Sequence, residues 1–169
     1  MANLTHAELV TPERVLFSGE AEAVIMRVDG GDTTFLANHS DFIGTVDICV
    51  VRIQAAESGA GAGESTSLGE VRAAVHGGFV MVADNNVTIL AGVAELADEI
   101  DVGRAQRALE AAEARDEALA ARPAASSGEE PGTGAGDGAT AQSDAATAVD
   151  RARVRLEAAT ASSAELSRH

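Results

Sequence analysis

The 169-residue chain is 46% hydrophobic but only 2% aromatic, with no Trp and no Tyr, so any core is built from Val, Ile, Leu and Ala. Its 27 acidic residues outnumber 12 basic ones, for a formal net charge of -15. Binding to nucleic acid or to anionic lipid draws on Lys and Arg neutralising phosphates, so neither is an expected partner. Every basic residue is Arg, which excludes a Schiff-base lysine and a Lys-dependent phosphate loop. The single cysteine, Cys49, can form neither an internal disulfide nor a cysteine-based zinc site. No apolar run approaches the roughly 20 residues that span a bilayer, and residues 1–10 lack the layout of a signal peptide. The expectation is a soluble, acidic, cytosolic protein.

In chain order, residues 4–10, 20–28, 33–37, 45–54, 70–76, 78–83 and 87–91 are short runs rich in Val, Ile and Thr, separated by Gly, Asn and Asp. That spacing predicts antiparallel strands in two packed sheets. Residues 78–83 and 87–91 form a hairpin turning at Asp84-Asn85-Asn86, because Asn and Asp tolerate the positive φ of such turns. A glycine bend at Gly77 and Gly78 separates the two preceding runs.

After Glu99 the composition changes to Ala, Glu and Arg, residues of high helix propensity. A first helix is capped by Asp101 and ends near Arg122, before Pro123. A second runs from about Ser143 or Asp144 to Ser162. Ala105, Ala108, Leu109, Ala112 and Leu119 form one small-residue stripe; Ala145, Ala148, Val149, Ala152, Leu156 and Ala159 form the other. They fit an antiparallel hairpin too weakly apolar to be stable alone, and so mobile or dependent on a partner. Gly/Ser-rich tracts at 57–69 and 126–142 read as disordered surface loops. The fold class is therefore α+β: an antiparallel β-sandwich domain (1–98), then a two-helix hairpin domain (99–169) with a low-complexity insertion at about 123–143.

Few residues look chemical. The sequence from Gly134 through Gly136 to Ala139 matches a dinucleotide fingerprint, but follows no predicted strand and opens no predicted helix. His76-Gly77-Gly78 resembles an esterase oxyanion loop without its nucleophile elbow. His39 and Asp41 have no further metal ligand at a suitable spacing, so His39 is expected in a turn, bonded to backbone. Cys49, within the apolar run 46–51, is expected as a small buried hydrophobe. No nucleophile, base and orienting group assemble. The arginines say more: eight of the 12 follow residue 99. Arg151 and Arg155, four apart, share a helix face, and an antiparallel hairpin brings them toward Asp101 and Arg104. From spacing alone that is either a solvated face of ion pairs or an anion site beside a helix N-terminus.

Phe17-Ser18-Gly19-Glu20, Asn38-His39, Gly77-Gly78, Asn86-Val87-Thr88-Ile89-Leu90-Ala91, Ala94-Glu95 and Ile100-Asp101-Val102-Gly103-Arg104-Ala105 follow one another in an order that resembles the epsilon subunit of F-type ATP synthases. The resemblance spans the chain apart from the two low-complexity tracts. It departs at Ala37 and Asp41, where the family usually has proline, and in a longer inter-helix tract. It implies a noncatalytic subunit of the central stalk, peripheral on the cytoplasmic side of the bacterial cell membrane. The sandwich would contact the gamma subunit and the membrane c-ring. The helices would reach the catalytic alpha/beta head and restrain ATP hydrolysis. No resident cofactor is implied, but some members bind regulatory ATP. The matching positions here are Glu95, Ile100, Asp101, Arg104, Arg151 and Arg155, beside Ala105. The alternative is a free-standing ATP-sensing module of the same fold.

Overall fold

The computed structural model describes residues 3–56, 69–121 and 137–166. Seven strands come first: β1 (Thr5–Val10), β2 (Val15–Val28), β3 (Gly31–Leu36), β4 (Phe42–Ala55), β5 (Glu70–Ala83), β6 (Asn86–Ala91) and β7 (Ala94–Leu96). A single 3-10 turn, Ala97–Glu99, leads to α1 (Val102–Ala120), and α2 (Asp137–Leu166) follows. The α+β plan of sandwich then hairpin is as expected.

The sheet runs β1-β6-β5-β4-β2-β3, with β7 beside β5. Because β1 also pairs with β2, antiparallel, while lying parallel to β6, the sheet closes on itself. Closure leaves few open edges and surrounds one core. That core holds Leu9, Val24, Met26, Phe35, Val51, Ile53, Val75, Val80 and Ile89, all essentially buried. The β5–β6 turn is as expected, with Asp84 at φ 51° and Asn85 at φ 62°. Asn85 also ties three segments together. Its Oδ1 accepts from the Asn38 N–H at 2.7 Å, and its Nδ2 donates to the Leu4 carbonyl at 2.7 Å.

Besides the parallel β1–β6 pair among strands expected to be antiparallel throughout, four expectations need correction. Residues 70–76 and 78–83 are one strand, not two, since β4 stays in register from Gln54↔Glu70 to Phe42↔Val82. Gly77 (φ 88°) and Gly78 (φ 156°) kink β5 without breaking it. A Cβ on Gly78 would lie 2.2 Å from the Leu90 carbonyl oxygen, so only glycine fits. The kink inverts the inward parity: Ala73 and Val75 face the core before it, Val80 and Val82 after it. Second, β2 starts at Val15 rather than 20, and β7 was not anticipated; three residues are too few to show a period.

Third, α2 begins at Asp137, several residues inside the tract expected to be loop, and continues to Leu166. Ala-rich sequence propagates helix well, and an aspartate suits the first turn. The final three residues of the fingerprint-like stretch thus open a helix after all. Fourth, Ala108 and Ala148 are exposed, whereas Val154 and Ala158, outside the predicted stripe, are buried. The reason is position. α2 packs against both α1 and the sheet, so it buries more than one face. The side chains of Leu119 and Ala145, residues 57–68 and the inter-helix residues 122–136 lie outside the described residues.

Candidate functional site

The hairpin docks on the outer face of β4 and β5. Ala74, Ala97, Ile100, Ala105, Val154, Ala158 and Ala159 form a second cluster, flanked by Ile48, Val50 and Leu156. Ile100 is therefore a packing residue here, buried at the junction between the sandwich and α1. Asp101 is the expected cap, its Oδ1 accepting from the Arg104 N–H at 2.9 Å. This satisfies one of the unpaired donors of the first helical turn.

Val154 and Ala158, on either side of Arg155, pack in one cluster with Ile100 and Ala105 at the start of α1, but no hydrogen bond or ion pair joins Arg155 to Asp101 or Arg104 among the described residues. Arg155 turns to the sandwich instead, donating from Nε (2.9 Å) and Nη2 (2.6 Å) to Glu95 Oε1. Glu95 sits on β7 opposite Ala74 of β5, which fixes its backbone and points its side chain to the helix side. Arg104 and Arg151 are exposed, and neither guanidinium has an ion-pair partner among the described residues.

Beside this pair stands His76, which in the sequence stood out only in the esterase-like stretch His76-Gly77-Gly78. Both of its ring nitrogens are buried and have no hydrogen-bond partner among the described residues. Burial, with Arg155 and Arg151 nearby, pushes its pKa down to about 4, against a smaller upward pull from Glu95. The imidazole is consequently neutral near pH 7. The structure thus gathers Glu95, Arg155, Arg151 and His76, and leaves Asp101 and Ile100 in capping and packing roles. Elsewhere, His39 bonds through Nδ1–H to the Ser40 carbonyl at 2.8 Å, as expected of a turn residue. Cys49 packs against the core, its thiol pushed up in pKa by burial.

A second feature was missed in the sequence. Beyond the Gly77–Gly78 kink the outer sheet face is uncovered, and Ile43 (75% exposed), Phe79 (59%), Leu90 (50%) and Met81 (47%) lie on it. They are neighbours: Ile43 pairs with Met81, and Phe79 with Leu90. An open groove of about 650 Å³ borders them, lined in part by His76, Gly78, Phe79, Leu90 and Pro12. A contiguous apolar patch of this kind marks an interaction surface. Its signal was present: the run from Phe79 to Val82 is apolar at every position, where a one-sided strand should alternate.

Comparison with known proteins agrees with this architecture. Residues 4–97 match the family model described as ATP synthase, Delta/Epsilon chain, beta-sandwich domain. The chain is 43% identical over 124 residues to the ATP synthase epsilon chain of Streptomyces griseus, covering 73% of this chain and 92% of that one. It is 47% identical over 108 residues to the epsilon chain of Thermobifida fusca, covering 63% and 72%. Among solved structures, a chain of the Euglena gracilis mitochondrial ATP synthase superposes with a TM-score of 0.64 at 20% identity, covering 94% of this chain and 82% of that one, which supports the fold. With its sandwich matched by the family model and most of its length shared with relatives above 40% identity, the chain belongs to the ATP synthase epsilon-chain family.

Proposed function

We propose that the protein is a noncatalytic central-stalk subunit of a proton-translocating F-type ATP synthase, held peripherally at the cytoplasmic side of the bacterial membrane. The observation that carries this reading is the uncovered face of Ile43, Phe79, Met81 and Leu90. Leaving four large apolar side chains in water is unfavourable, and burial against a partner recovers roughly 25 cal/mol per Å² of apolar area. We assign that face to the gamma subunit, next to the attachment to the c-ring. No described helix is long and apolar enough to cross a membrane. Replacing Phe79 and Met81 together with Asp should abolish co-purification with gamma while the sandwich stays folded. Retained assembly would place the contact elsewhere.

The hairpin is the regulatory part of this proposal. Its arginines would engage the alpha/beta head when it leaves the sandwich, restraining ATP hydrolysis. Arg104, Arg151 and Arg155, with Glu95, Ile100 and Asp101 around them, are the proposed site for a regulatory ATP. Support comes from the exposure of Arg104 in the first turn of α1, whose free N–H groups favour a phosphate, and of Arg151, one helical turn from Arg155. Calorimetry with ATP on the full chain tests it, with Arg151→Ala as control. No heat at millimolar ATP, or equal binding by the variant, removes the site.

A further inference from the structure

The Glu95–Arg155 ion pair joins the two regions of the chain and is only partly in water. The arginine side chain is 29% exposed and the glutamate 36%. Two N–H groups of one guanidinium converge on a single carboxylate oxygen, an arrangement stronger than an ordinary surface pair. The rest of the docking surface is modest. Five of the seven buried residues in the hairpin cluster are alanines, each contributing one methyl group. His76 shares the outer face with Glu95 but hydrogen-bonds to neither partner, so Glu95 is the acceptor that Arg155 uses.

We propose that Glu95 and Arg155 form the latch that holds α2 against the sandwich in the nucleotide-free chain. The carboxylate on β7 supplies the anion that Arg155 needs, so docking does not depend on a bound ligand. When the pair opens, what remains is a narrow apolar seam, alanines with Ile100, Val154 and Leu156 among them, and α2 lifts while the sandwich stays intact. The latch goes beyond the nucleotide reading and stands whether or not ATP binds.

Hydrogen exchange on the full, nucleotide-free chain tests this. Glu95→Gln and Arg155→Gln should each raise amide exchange across residues 149–159 about tenfold, the scale of a lost charge-assisted bond. Exchange in β4, β5 and β6 should stay at the wild-type level, which also shows that the variants fold. The double variant should exchange no faster than either single one, because the two side chains act as a unit. Wild-type protection in both single variants would overturn the proposal. So would additive effects in the double variant, which would mean that the residues act separately.

Discussion

The sandwich and the hairpin are stabilised in different ways. The sandwich closes its sheet around Phe35, Leu9, Met26, Ile53 and Ile89, so most backbone donors find strand partners and large side chains leave water. The hairpin offers mainly alanine, and it buries those methyl groups against a surface that the sandwich has already built. Dependence therefore runs one way. The hairpin needs the sandwich for a docking face, while the sandwich completes its own core without the hairpin. A part that can leave without unfolding the rest is suited to a switch, and a self-sufficient part is suited to anchoring.

The largest expected effect breaks the sandwich. Phe35 is fully buried, and Phe35→Ala should cost about 3–5 kcal/mol in urea unfolding. Hairpin protection should fall with it, because the docking face opens whenever the sandwich unfolds. If α2 stayed protected while the strands exchanged freely, the one-way dependence would be wrong. The converse perturbation is smaller. Removing the cap with Asp101→Ala should cost roughly 1 kcal/mol and raise exchange only in the first turns of α1. Strand protection should not change.

A further effect is a pH dependence at the junction. His76 has a folded pKa of about 4, below its ordinary value of 6.5. The docked state thus favours the neutral ring, and the unfolded or undocked state binds a proton first as pH falls. Docking should be at full strength above about pH 6.5 and weaken progressively from there toward pH 4. The groups facing the ring are Arg151 and Arg155 of α2, which oppose its charge, and Glu95 of β7, which favours it. His76→Gln should flatten α2 exchange across that window. An unchanged slope in the variant would assign the pH response to another group.

How much was legible in the sequence follows the same division. Strand runs could be read because residues such as Leu9, Val24 and Ile89 owe their burial to a local period of two. The Asp84-Asn85 turn and the Asp101 cap were legible for a similar reason: each is chemistry within a few residues. The continuity of β5 through Gly77 and Gly78 was not, since paired glycines signal a bend and only the registered partner β4 shows that the strand survives. Arg155 carries the clearest lesson. Helical spacing correctly joined it with Arg151, but its partner Glu95 is 60 residues away and is brought near by the strand β7. His76 stayed hidden because its role depends on which helix covers it.

The division of labour itself is tested most directly by one co-purification. A chain shortened to residues 1–98 keeps the whole closed sheet, including Phe79, Met81 and Leu90, and loses both helices. Expressed in place of the full chain, it should still co-purify with gamma and the c-ring. Loss of assembly, with circular dichroism showing the sandwich folded, would contradict the assignment of anchoring to the sandwich and give the hairpin a part in it.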